Sequence, residues 1–82
     1  MCKKLKRDIS IGHNLKKYRL YAGISQELVA TKLQVQGLDI SREIISQMER
    51  GKYNIRVSEL LALSELYGTS IGDFFTDLER FQ

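Results

Sequence analysis

The segment from Ser41 to Gly51 carries side chains that could recognise the bases of DNA. On a helix, with about 100° between successive residues, its apolar side chains fall on one side and its polar side chains on the other. The apolar side has Ile44, Ile45 and Met48, and the polar side has Arg42, Glu43, Ser46, Gln47 and Arg50. Arginine, glutamine, glutamate and serine are the side chains that pair with base edges in the major groove. On its own, however, this pattern is more often that of an ordinary solvated surface helix.

Two further sites carry groups that could bind phosphate. Gln26 opens a second predicted helix, where its amide would lie free beside unpaired backbone N–H groups and the positive end of the helix dipole. The loop that follows Gly51 is polar and basic, and its Lys52, Tyr53 and Asn54 side chains could reach a sugar–phosphate backbone. An ordinary loop between two helices is the alternative interpretation of this second site.

Residues suited to catalysis or metal binding are sparse in this chain. It has one histidine, His13, and one cysteine, Cys2, and it lacks a glycine-rich phosphate loop and clustered carboxylates. Acid–base, nucleophilic and metal-assisted chemistry each need several such groups at matched spacing. We therefore expect a protein that is not an enzyme and that uses no metal and no cofactor.

Length and charge favour one small domain with a polyanionic partner. The chain has 82 residues and a formal net charge of +3, and its basic side chains crowd the first quarter. Residues 1–8 are predicted to be a basic flexible arm, which could either lie on phosphates or act only as a solubilising tail. No apolar run follows this arm, and the single cysteine excludes an internal disulfide. A cytoplasmic protein with no membrane segment is expected.

Apolar spacing and capping residues predict an all-α domain over residues 9–82, with its core in residues 11–75. Serines stand where helices would start, at positions 10, 25, 41 and 70, and glycines stand where helices would stop, at positions 23, 37, 51 and 68. The predicted helices cover residues 10–22, 25–36, 41–50, 57–67 and 71–78. The fourth has the widest apolar face, with Val57, Leu60, Leu61, Leu63 and Tyr67, and it is expected to be the central core helix.

The order of these motifs resembles the XRE, or Cro/lambda-repressor-like, helix-turn-helix family. The first half of the likeness is the run Gly23-Ile24-Ser25-Gln26-Glu27, followed by Val29-Ala30 and Lys32-Leu33. The second half is Ile40-Ser41-Arg42, Ile45-Ser46 and Met48-Glu49-Arg50-Gly51, with Phe74-Phe75 near the end. The resemblance implies a five-helix domain whose third helix binds operator DNA, usually as a two-fold dimer. One departure is the longer segment from Gln34 to Ile40, which predicts a lengthened turn between helices two and three.

Carried over position by position, the resemblance assigns roles to individual residues. It implies base reading by Ser41, Arg42, Glu43 and Gln47, with Ser46 as a lesser candidate. It implies phosphate binding by Gln26, Arg50, Lys52, Tyr53 and Asn54. A buried ion pair between the first and third helices falls on Arg19 and Glu49, and each of these residues also borders its own apolar stripe.

The favoured hypothesis is a DNA-binding transcriptional regulator of a bacterium, phage or mobile element, most simply a repressor, acting as a homodimer at the nucleoid. The last helix has more apolar surface than a small core needs, so Phe74, Phe75, Leu78 and Phe81 are the expected dimer interface, with burial in the core as the alternative. A protein-interaction module, such as the antitoxin of a toxin pair, is the second hypothesis. Its docking surface would be Leu20, Tyr21, Leu28 and Leu66.

Overall fold

A computed structural model describes residues 10–76, and in that range the chain folds as α-helices without strands. The helices are α1 (Gly12–Ala22), α2 (Gln26–Val35), α3 (Arg42–Glu49) and α4 (Val57–Tyr67), followed by a 3₁₀ helix (Ile71–Phe75). The predicted all-α class is confirmed, but the fifth helix is a 3₁₀ turn, so the domain has four α-helices instead of five. The predicted basic arm, and the candidate interface residues Leu78 and Phe81, lie outside the described residues. None of the described helices is long and apolar enough to cross a membrane.

Serine caps fix where α2 and α3 begin. The Ser25 hydroxyl accepts the Leu28 N–H at 3.0 Å, and the Ser41 hydroxyl accepts the Ile44 N–H at 3.2 Å. Each bond satisfies one of the backbone donors that a helix leaves free in its first turn. At α1 the cap differs from the prediction: the helix begins at Gly12 with Ile11 at the capping position, and Ser10 accepts the Gly12 N–H from outside the helix.

The lengthened turn between α2 and α3 is an ordered connection. Ile40 is fully buried and Leu38 is half-buried, so this segment contributes two apolar anchors to the core. The Gln34 side-chain amide donates to the Ile40 carbonyl at 2.8 Å, and the Leu38 N–H donates to the Leu33 carbonyl at 3.0 Å. These contacts fix the direction in which the chain enters α3.

The core forms where α1 and α2 pack against α3 and where α1 also meets α4 and the 3₁₀ helix. Its largest fully buried side chains come from every part of the described chain: Leu15, Val29, Leu33, Ile40, Ile45, Met48, Leu63 and Phe74. The expectation that α4 would be the central helix with the widest buried face was wrong. Val57 and Leu61 are 69% and 49% exposed, because they lie one helical turn apart on a side of α4 that no described element covers.

A glycine allows the start of α1 to lie directly against the end of α3. A Cβ atom built on Gly12 would lie 2.5 Å from the Glu49 carbonyl oxygen and 2.8 Å from the Met48 carbonyl oxygen. Both are backbone atoms of α3, so they cannot move aside as a flexible side chain could. Gly12 therefore sets the distance between α1 and the helix that carries the candidate DNA-reading residues.

The two adjacent phenylalanines of the 3₁₀ helix have different environments. Phe74 is completely buried and packs edge-to-face on Tyr18 and Tyr67, with ring centroids 6.0 and 6.3 Å away. The expectation of Phe74 at a dimer interface was therefore wrong, because this side chain belongs to the core of its own domain. Phe75 remains 49% exposed. A 3₁₀ helix has about three residues per turn, so neighbouring side chains cannot both point into one core.

Candidate nucleic-acid interface

The polar side of α3 is open to solvent at the start of the helix. Ile45 and Met48, exposed by only 1% and 2%, anchor the opposite side in the core. Ser41, Arg42 and Glu43 are exposed, whereas Ser46 and Gln47 are half-buried. The five residues expected to read bases thus lie on one face of α3, with the most accessible of them at its N-terminal end.

A buried ion pair joins α1 to the end of α3. The Arg19 Nε donates to Glu49 Oε2 at 2.6 Å and its Nη2 donates to Oε1 at 3.1 Å, so the guanidinium binds the carboxylate through two parallel bonds. The two side chains are 9% and 4% exposed. The hydrogen bond from Glu49 raises the pKa of Arg19 above its ordinary value, against the opposing effect of burial. A third bond, from Nη1 to the Ile24 carbonyl at 3.0 Å, also fixes the turn between α1 and α2.

The side chain of Gln26 connects this ion pair to the base-reading face. Its Nε2 donates to Glu49 Oε1 at 3.0 Å, and its Oε1 accepts from the Arg42 Nη1 at 3.4 Å. The expectation that this amide would be free was wrong. The contact between α2 and α3 brings Gln26 within reach of both side chains, and spacing along the sequence does not show it. Arg19, Glu49, Gln26 and Arg42 form a continuous chain of hydrogen bonds, called the four-residue network below.

An open cleft of about 490 Å³ lies beside the four-residue network, at the N-terminus of α2. Its lining comes from two elements and includes two arginines: Arg19, Ser25, Gln26, Glu27 and Arg42. The first backbone N–H groups of α2 and the positive end of its dipole favour a negatively charged group there. The Glu27 carboxylate opposes this preference, because it adds a negative charge to the same first turn.

The loop after α3 presents its basic and amide side chains outward but turns its tyrosine inward. Arg50, Lys52 and Asn54 are exposed. Tyr53 is half-buried, and its hydroxyl donates to Glu59 Oε2 at 3.1 Å. The pKa of this hydroxyl is raised, first by burial and then by the hydrogen bond to Glu59. The single hydroxyl proton is thus already used, and Tyr53 does not offer phosphate the donor that was expected of it.

Three buried polar contacts that the sequence analysis missed support the interface from behind. Glu59 is 5% exposed and accepts the Arg56 N–H through Oε1 at 2.9 Å, so it links the loop to the start of α4. Asn14 is 2% exposed and donates to the carbonyls of Phe74 and Thr76 at 2.9 and 2.8 Å. A glutamate in the first turn of α4 was the available signal for Glu59. The role of Asn14 depends on a partner 60 residues away, which local spacing does not reveal.

Over residues 10–76, no group of three or more His, Cys, Asp or Glu side chains is placed to hold a metal ion. The arrangement that the structure does contain is one of exposed donors and acceptors on a helix that is anchored from below. Such a face can form hydrogen bonds to the edges of bases and to phosphate oxygens.

Comparison with known proteins gives one match. The model of a family described as helix-turn-helix matches residues 15–74, a range that begins in α1 and ends within the 3₁₀ helix. No curated protein and no solved structure gives a significant match.

Proposed function

The chain belongs to the XRE-like helix-turn-helix family, and from this premise we propose that it is a transcriptional regulator that reads an operator sequence through α3 in the major groove. Family membership supports DNA binding in general. The observation that carries the finer proposal is the exposed row Ser41, Arg42 and Glu43 at the start of a helix whose other side is buried. The N-terminal residues of a recognition helix are those that enter the groove most deeply in helix-turn-helix proteins. Repression is the proposed mode, because a domain bound at an operator blocks other proteins from the same DNA.

The base-reading roles follow from the chemistry of each side chain. Arg42 is proposed to bind guanine O6 and N7 through two bonds, and Gln47 to bind adenine N6 and N7. Glu43 is proposed either to accept from cytosine N4 or to orient Arg42 through their opposite charges. The hydroxyls of Ser41 and Ser46 can each serve as donor or acceptor, so they are less selective contacts.

The phosphate-binding roles are assigned to groups at the edges of the same face. Arg50, Lys52 and Asn54 are exposed just after α3, and Gln26 has one amide proton left beyond its bond to Glu49. Contacts of this kind position a protein on the duplex and contribute affinity without selecting a sequence. Tyr53 is left out of this set and instead supports the loop through Glu59.

Selection of bound sequences from a random DNA pool tests this proposal. Repeated selection with the wild-type protein is expected to enrich one motif that contains a guanine and an adenine at fixed positions. Selection with the Arg42→Ala variant should keep the motif but relax its guanine position. Failure of the wild-type protein to enrich any motif would contradict the proposal.

Homodimerisation is also proposed, since a two-fold dimer would contact half-sites about 34 Å apart on one side of the DNA. Among the described interface candidates only Phe75 supports it, with an exposed fraction of 49%. Sedimentation at increasing concentration, with and without operator DNA, is expected to show a dimer in at least one condition. A monomer under all conditions would remove this part of the proposal.

A second candidate function, a protein-interaction module such as an antitoxin, is favoured by one observation. Leu20, Tyr21 and Leu28 are 56%, 75% and 40% exposed, which is unusual for large apolar side chains in a small domain. A stable one-to-one complex with a co-expressed partner protein, abolished by Tyr21→Ser but not by Arg42→Ala, would support it. The two functions are compatible, because these apolar residues and the polar row of α3 are different side chains on different helices.

A further inference from the structure

The four-residue network gives Gln26 a defined orientation that its exposed position alone would not provide. Glu49 is a carboxylate that can only accept hydrogen bonds, and both of its oxygens are bound by Arg19 inside the domain. The contact from Gln26 to Glu49 Oε1 must therefore use the amide nitrogen. The amide is planar, so its oxygen is directed away from the ion pair, toward the first residue of α3.

The directed oxygen of Gln26 is the feature that Arg42 meets. The Arg42 Nη1 lies 3.4 Å from Gln26 Oε1, which places one corner of an exposed guanidinium against a fixed acceptor. The Nε and Nη2 donors remain available for a base. A long exposed side chain otherwise samples many rotamers, and this freedom must be lost when it binds a base edge. A contact already formed in the free protein reduces that loss.

We propose that Gln26 is a positioning residue for sequence recognition: it transmits the fixed position of the Arg19–Glu49 ion pair to Arg42 and so restricts the guanidinium to the orientation that reads its base. This inference rests on the proposed function, in which Arg42 reads a base. It goes further because it assigns a specificity-determining role to a residue outside the recognition helix. A residue that only binds phosphate would change affinity for all sequences equally, whereas a positioning residue changes the preference among them.

The test measures discrimination, defined as the ratio of Kd values for the selected operator and for the same operator with the Arg42-dependent base pair replaced. The variants are Gln26→Met, which keeps the length of the side chain and removes its hydrogen bonds, and Arg42→Ala. The matched control is Gln36→Met, the same substitution at an exposed glutamine at the other end of α2. Gln26→Met is expected to lower discrimination by about two- to tenfold, the effect of one ordinary hydrogen bond. Gln36→Met should leave it unchanged.

The double variant Gln26→Met/Arg42→Ala separates positioning from other effects. If Gln26 acts through Arg42, the double variant discriminates no less than Arg42→Ala alone. If Gln26→Met weakens all sequences equally and leaves the ratio intact, the inference is overturned while the proposed function stands. A wild-type protein that does not discriminate between any base pairs would overturn the proposed function, and this inference with it.

A measurement on the wild-type protein covers the case in which Gln26→Met does not fold. Nitrogen-15 relaxation of arginine Nε–H groups reports side-chain motion on the picosecond to nanosecond timescale. The Arg42 Nε–H is expected to be more ordered in the free protein than that of Arg50, an exposed arginine at the end of the same helix. Equal mobility of the two groups would overturn the inference.

Discussion

Replacement of Arg19 by alanine is the perturbation that most sharply tests how the fold supports the interface. Arg19 donates three hydrogen bonds inside the domain, two to the Glu49 carboxylate and one to the Ile24 carbonyl. Its removal leaves Glu49, whose side chain is 4% exposed, with the Gln26 amide as its remaining side-chain donor. A buried carboxylate without its cation is among the most costly defects in a folded protein.

The expected loss of stability follows from that burial. Breaking a buried ion pair by removing one partner costs roughly 3–5 kcal/mol. For a domain of this size, each kcal/mol lowers the melting temperature by about 4–8 °C, so Arg19→Ala should melt about 12–40 °C below the wild type. The cost comes mainly from the uncompensated charge. The double variant Arg19→Met/Glu49→Met, which removes both charges and keeps apolar volume, should therefore recover most of the lost stability.

Thermal unfolding followed by circular dichroism measures these differences. Arg42→Ala is the matched control, because it removes an exposed arginine, and it should stay within about 0.5 kcal/mol of the wild type. An Arg19→Ala protein with an unchanged melting temperature would refute the reasoning. So would a double variant no more stable than the single one, since the cost would then not arise from the unpaired charge.

Three further predictions concern the loop, a helix contact and a cap. Lys52→Ala should weaken binding to all sequences alike and reduce the slope of log K against log salt by about 0.9, as measured by salt-titrated binding. Gly12→Ala should strongly destabilise the domain in urea unfolding, because its Cβ would meet α3 backbone, whereas Gly72→Ala, with 3.8 Å of space, should not. Hydrogen bonds from Thr69 and Ser70 lower the pKa of Asp73, so its stabilisation exists above the ordinary value of 3.8 and is lost as pH falls below it; Asp73→Asn should flatten that acid limb.

Local chemistry made the helices predictable from the sequence. Ser25 and Ser41 accept the backbone bonds that start α2 and α3, and α4 spans the predicted residues 57–67 without a shift. Each of these features depends on neighbours within one helical turn, so spacing along the chain was sufficient. The family could also be predicted, because its motifs are runs of consecutive residues.

Contacts between distant segments could not be predicted in the same way. The Gln26 amide was expected to be free, but the packing of α2 on α3 places it between Glu49 and Arg42. The Tyr53 hydroxyl was expected to reach phosphate, but the loop turns it onto Glu59. In both cases a polar group that looks free in the sequence finds a partner that only the tertiary arrangement supplies. Polar residues beside a recognition helix therefore divide into DNA-binding and positioning groups only after the helices are placed.

The most direct test of the central claim, that the exposed start of α3 reads a base in the major groove, is a binding measurement with modified DNA. Once selection has identified the guanine that depends on Arg42, that base is replaced by 7-deazaguanine, which lacks the N7 acceptor and keeps normal pairing. The wild-type protein is expected to lose affinity on the order of tenfold for the modified operator, whereas the Arg42→Ala variant should bind both operators equally. Equal binding of the two operators by the wild-type protein would contradict the claim.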